Sequence, residues 1–205
     1  MGNYWLDLVE EEHPPPPFWR LITNLFDIYQ MIINFKLWLE GDGPHKFSST
    51  QVQLPAPIAK EIIALGKQIP DKDLAEDGRE TDIHITVKYG LHTNSPKEVK
   101  KIVADFGIIK ATLGKTTLFP ASDHHKFEVV KVDVISNDLY RLNKKIKKAT
   151  TCTDTFPTYL PHLTIAYVKE GCGKKYTGSQ FVGKKVEFTS VTFSDKIGNK
   201  FELPL

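Results

Sequence analysis

The sequence predicts an α+β fold, and three observations lead there. Antiparallel-looking strands are mixed with a few helices, with no glycine-rich dinucleotide turn or Walker loop. One six-residue strand pattern occurs twice, 78 residues apart, a separation of about one lobe. The 205 residues are 40% hydrophobic, with 27 basic and 25 acidic side chains, enough apolar content to fold and too little bias for a disordered, collagen-like or coiled-coil chain.

Residues 1–45 read as an extension and 46–205 as the body. The extension holds Arg20 and Lys36 against seven acidic residues, so the body carries the positive excess. That modest excess suits a small anionic ligand better than duplex nucleic acid, which calls for a strongly basic face. Pro14 to Pro17 form a stiff polyproline stretch. The segment from Phe18 to Leu39 reads as an apolar helix, but Arg20, Asp27 and Lys36 argue against a membrane span. Such a helix is expected to dock on its own body, on a second copy, on a protein partner or at a membrane interface. Gly41 to Pro44 then end it.

In the body, Ser49 to Leu54 read as a strand. Pro57 opens a helix carrying Ile58, Ile62 and Leu65, stopped by Gly66. Asp71 to Asp82 read as a charged loop. Ser95 to Glu98 form a capping box ahead of Val99, Ile102, Val103 and Phe106. Phe127 to Ile135 have the β-branched density of a strand, and Asn137-Asp138 read as the cap of a helix with Leu139, Leu142 and Ile146 on one face. Val186 to Phe193 and Phe201 to Leu203 complete the strands, with a turn at Gly198-Asn199.

The repeated pattern carries the chemistry. His84-Ile85-Thr86-Val87-Lys88-Tyr89 recurs as His162-Leu163-Thr164-Ile165-Ala166-Tyr167. At this composition about 0.01 copies are expected by chance. Strand alternation puts each histidine and threonine on one face, and by the same parity puts Tyr89 and Tyr167 in the core. Two such strands facing across a pseudo-twofold would bring four polar side chains to one phosphate. Imidazole titrates near neutrality, so one ring can take a proton while the other gives one. The threonine hydroxyls can donate to non-bridging phosphate oxygens. This chemistry requires no metal or other cofactor, and no carboxylate pattern clearly holds one.

Paired His-x-Thr-apolar strands resemble the two-histidine (2H) phosphoesterase superfamily over roughly residues 48–205. The resemblance implies two pseudo-symmetric lobes of antiparallel sheet with helices around a central cleft. It implies catalytic roles for His84 and His162 and phosphate contacts for Thr86 and Thr164. Ser49-Thr50-Gln51-Val52, the charged run Glu76 to Glu80, and Tyr89-Gly90-Leu91-His92 look most like the bacteriophage anti-CBASS nucleases. That implies a phosphodiesterase cleaving 3′-5′ linkages of cyclic di- and trinucleotide immune signals in the cytoplasm of an infected bacterium. The alternatives are 2′,5′-oligoadenylate, RNA ends with 2′,3′-cyclic phosphate, or a non-catalytic nucleotide-binding or phage accessory module.

Further candidates are weaker. Thr50, and Phe193, Lys196 and Phe201 in the final hairpin, are candidate substrate contacts, an aromatic stacking on a base and a lysine pairing with phosphate; the competing reading is a packed hairpin. His92 reads as a solvated loop residue that could reach the cleft. His124-His125 read as a surface turn, and Lys144 to Lys148 as the wet side of a helix. Cys152 and Cys172 are too few to staple the fold and read as spectators of a reducing compartment.

Overall fold

The computed structural model describes residues 46–122, 125–154 and 158–205. The extension, with its Phe18 to Leu39 helix, lies outside the described residues, as does His124. Nine strands and three α-helices are described. The strands are β1 (Ser48–Gln53), β2 (Leu74–Arg79), β3 (His84–Leu91), β4 (Ile109–Phe119), β5 (Phe127–Ile135), β6 (His162–Lys169), β7 (Lys185–Phe188), β8 (Ser190–Ser194) and β9 (Lys200–Pro204). The helices are α1 (Ala56–Lys67), α2 (Pro96–Val103) and α3 (Asn137–Ala149). All strand pairs are antiparallel, in the order β7-β4-β5-β6-β3-β1-β8-β9, with β2 pairing β6. The fold is α+β.

The sheet is two related halves joined at β3 and β6. Each half runs strand, helix, motif strand: β1, α1, β3 in one, and β5, α3, β6 in the other. Helix α1 packs on β6, and α3 packs on β4 and β3. One row across the middle of the sheet, Val132–Leu163–Ile85–Val52, is completely buried. On α3, Leu139, Leu142 and Ile146 join this same core. Covering a side chain of this size contributes about 1.5–3 kcal/mol. The core therefore pins the junction of the two halves.

Several elements differ from expectation. The charged run 71–82 is not a loop: its middle forms β2 along β6, because the Arg79 guanidinium reaches the carbonyls of Gly66 and Ile69 and the Asp71 carboxylate. The helix-start cap of α3 is Ser136, whose hydroxyl accepts from the Leu139 amide at 3.1 Å; Asp138 instead accepts from the Lys110 amide at 3.0 Å. Ser95 makes no side-chain cap bond, although Pro96 does open α2. β4 carries no assignment from the sequence, since its register with β5 shifts between Leu113 and Thr116 and breaks the alternation. The strand pattern 186–193 divides at Thr189 into β7 and β8.

Candidate active site

The two motif strands meet at one cross-strand pair, Ile85 with Leu163. Antiparallel geometry then sets His84 abreast of Thr164 and Thr86 abreast of His162, on the face opposite that buried pair. Residues so placed have Cβ atoms about 4.5–5.5 Å apart, and the diagonal between the histidines is about 7–8 Å. All four side chains are partly exposed while the residues between them are buried. Their face is a polar surface; the other is the core.

Each imidazole is oriented by its own backbone. His84 Nδ1 lies 2.6 Å from the Asp82 carbonyl, and His162 Nδ1 lies 2.7 Å from the Leu160 carbonyl. A carbonyl only accepts, so Nδ1 carries the hydrogen and Nε2 is the nitrogen left for chemistry. Both copies make this bond to the residue two positions upstream, so the repeat extends to ring orientation.

The electrostatics of the two rings differ. Burial holds the His162 ring below the ordinary imidazole value, and the Lys131 and His84 charges push the same way against the Leu160 carbonyl and Asp133. His84 instead has the Asp82 carboxylate 3.8 Å from its Nδ1. Burial pushes that carboxyl up, but the Lys200 ammonium outweighs it and holds Asp82 below the usual carboxylate range.

Two parallel polar rows cross this face. One runs Thr117, Lys131, Thr164, His84, Gln53; the other runs Asp133, His162, Thr86, Gln51, Thr192. Lys131 is 7% exposed, yet it sits directly outward from Thr164. Its ammonium pairs with Asp133, donates to Thr117 Oγ1 at 2.8 Å and lies 4.4 Å from the Phe119 ring centre. Phe119 in turn meets His162 edge to face at 4.9 Å. Sequence reasoning missed this cluster. The signal was there: Lys131 and Asp133 stand two apart in the apolar run Val129 to Ile135, with the same parity as the motif's histidine and threonine.

The tyrosines divide: Tyr167 is buried as expected and Tyr89 is only half-buried, and neither follows the parity of its motif. Thr86 and Tyr89 lie opposite Gln51 and Ser49, which share a face of β1; Thr164 and Tyr167 lie opposite Lys131 and Val129, which share a face of β5. In each copy the register shifts after the threonine, so one extra residue, Val87 or Ile165, turns the tyrosine back to the cleft side. Tyr167 is 7% exposed and meets the Phe127 ring edge to face at 5.6 Å. Tyr89 is partly exposed and packs edge to face with Phe47 at 6.0 Å. Alternation assumes an unbroken ladder, and a bulge defeats it.

The bulges have fixed partners. The Val87 carbonyl accepts from Asn143 Nδ2 at 2.6 Å, and the neighbouring Thr86 carbonyl from the Tyr159 hydroxyl at 2.9 Å. The Ile165 carbonyl accepts from the Glu80 amide at 2.9 Å. Where β3 and β6 part, these groups replace the missing ladder bonds.

Other candidates fall elsewhere. Thr50 is fully buried, its hydroxyl 3.4 Å from the Lys88 carbonyl, and Phe193 is fully buried with its ring 6.3 Å from Phe201. Both occupy packing positions: the Phe193 ring is covered, and the Thr50 hydroxyl is turned to the neighbouring strand. Phe201 is 37% exposed, and Lys196 is partly exposed in the turn that follows β8. His92 is exposed, stacks on Phe47 at 5.2 Å and contacts Thr153 Oγ1 at 2.9 Å. His125 stacks on Phe127 at 4.8 Å. The lysine run lies on α3, where Lys145 pairs with Asp105 at 2.6 Å. Among the described residues both cysteines are free thiols, no group of three or more potential metal ligands occurs, and no helix is long and apolar enough to cross a membrane.

No family model matches the chain, and no curated protein matches it in sequence. Solved structures do resemble it. TT0787 of Thermus thermophilus aligns with 77% of this chain and 97% of its own, at 14% identity and a TM-score of 0.47. E. coli LigT complexed with 3′-AMP aligns with 78% and 94%, at 19% identity and a TM-score of 0.47. Usb1 of Kluyveromyces marxianus aligns with 78% and 98%, at 8% identity and a TM-score of 0.45. At such values no functional statement about this chain rests on them.

Proposed function

We propose that this chain is a phosphodiesterase of the 2H phosphoesterase type, acting by paired-histidine acid–base catalysis on cyclic di- and trinucleotides. The observation that carries the reading is the Ile85–Leu163 register, which sets two His–Thr pairs on one face, each ring bonded through Nδ1 and neither Nε2 bonded among the described residues. The diagonal between the rings leaves room for one tetrahedral group.

The roles follow from the surroundings. His162, kept neutral by burial, takes the proton from a ribose 2′-OH as that oxygen attacks the adjacent 3′-5′ phosphate. The new O2′–P bond forms as the P–O5′ bond breaks. His84, the other ring of the pair, gives a proton to the departing O5′. Thr86 and Thr164 donate to the non-bridging oxygens while charge grows there. Two imidazoles supply both proton transfers, so the reaction needs no metal. The modest positive charge of the body favours a small cyclic oligonucleotide over long RNA, and cleavage of such signals is the activity by which a phage would blunt CBASS defence.

The test is a nucleotide panel in EDTA, with products followed by chromatography. Cyclic di- and trinucleotides should be cleaved, and His84→Ala and His162→Ala should each lower the rate by at least about 10²–10⁴-fold while largely preserving binding. Selective turnover of 2′,5′-oligoadenylate or 2′,3′-cyclic phosphate ends would move the substrate assignment. Tight binding with no hydrolysis of any substrate would reject the enzyme reading.

A further inference from the structure

We infer that Gln51 is a substrate contact of this cleft, its side-chain amide donating to a non-bridging oxygen of the phosphate held between the two histidines. This rests on the phosphodiesterase reading above and adds a donor that the repeated motif does not contain. Gln51 sits on β1, outside the motif, with Thr86 beside it on β3 and Thr192 beside it on β8. Its cross-strand pairing puts it on the cleft face, one strand outward from a hydroxyl already assigned to the phosphate.

Two features separate it from an ordinary strand glutamine. It is only 5% exposed, and its Nε2 is buried with no hydrogen-bond partner among the described residues. Buried amide donors are nearly always satisfied, because an unpaired one forfeits its hydration without return. An orphan at this position is a donor waiting for an acceptor, and a phosphate non-bridging oxygen is an acceptor that the site is built to receive.

The site's pseudo-symmetry supports the assignment. Directly outward from Thr164, the other half places Lys131, also nearly buried and also a donor. Each threonine is thus flanked by a buried nitrogen. The ammonium is already engaged by Asp133 and Thr117, whereas the amide is not. Glutamine's neutral donor adds a contact without a second buried cation beside His162.

The experiment titrates inorganic phosphate into the full-length chain and its variants by calorimetry, alongside kcat/KM on whichever nucleotide is cleaved and thermal unfolding. Gln51→Met keeps length and removes the donor. It should weaken phosphate binding and kcat/KM by about 10- to 100-fold, the loss of one hydrogen bond to a charged group. Its Tm should be unchanged or higher, since the orphan is gone; a purely structural residue would lower Tm instead. Gln51→Glu, which opposes a carboxylate to the phosphate, should weaken binding further and serves if Gln51→Met fails to fold. Wild-type phosphate affinity in either variant overturns the inference and leaves the histidine reading standing. A wild-type chain that binds no phosphate and cleaves no phosphodiester overturns both.

Discussion

Which nitrogen each histidine turns toward the cleft is decided by a main-chain carbonyl two residues upstream. The rings are therefore alike in tautomer and unlike in charge environment. Burial, then Lys131, keep His162 neutral to lower pH than a free imidazole. Removing the ammonium with Lys131→Met also leaves Asp133 without its counter-ion, and both changes raise the His162 pKa. The acid limb of the rate–pH profile should then move up, by about one pH unit or less. A limb that stays in place would mean that His162 is not the base. Stability carries the same sign. The unfolded chain binds this proton more readily than the folded one, so folding stability from this group falls as pH drops below about 6.5. His162→Asn should flatten that part of a denaturant-midpoint-against-pH curve.

At the scale of elements, the bulges determine what the motif presents. A strand that loses ladder partners exposes carbonyls, and here the opposite half supplies the donors: Asn143 of α3 for Val87 and the Glu80 amide for Ile165. Asn143→Leu leaves the Val87 carbonyl without its donor and should cost about 1–3 kcal/mol in chemical denaturation. Gly90 is stricter. Its φ is +87°, and a Cβ there would lie 2.0 Å from the Thr153 carbonyl oxygen. That carbonyl cannot retreat freely, because the Thr153 amide donates to the Gly90 carbonyl at 2.8 Å. Gly90→Ala should destabilise by at least about 2 kcal/mol, read as a lowered denaturation midpoint. An unchanged midpoint would show that this loop can shift.

On the scale of the whole molecule, the polar rows and the core row alternate across one sheet, so cleft and core are two faces of the same strands. The described body carries its own buried core from Val52 to Leu203. Deleting residues 1–45 should accordingly leave the rate of nucleotide cleavage unchanged while altering oligomeric state or attachment. Sedimentation and activity of the two forms check both parts, and identical mass would count against an assembly role for the extension.

The sequence by itself determined the α+β class, the duplicated His-x-Thr strands and the face each pair shares, because these depend on composition and on a period of two over three residues. It read α1, α2, α3 and β5 from their apolar spacing. It read β2 as a charged loop, passed over β4, and gave Tyr89 a buried place that it only half occupies. Of the two readings of the final hairpin, the packed one fits Phe193, which is buried, as is Thr50 on β1. Those outcomes turn on contacts between residues far apart in the chain: Arg79 bridging to α1, Asn143 bracing a bulge, the Ile85–Leu163 register bringing the two halves abreast. Only the folded sheet decides them, because a register is set by which strand lies alongside, and no local spacing encodes its neighbour.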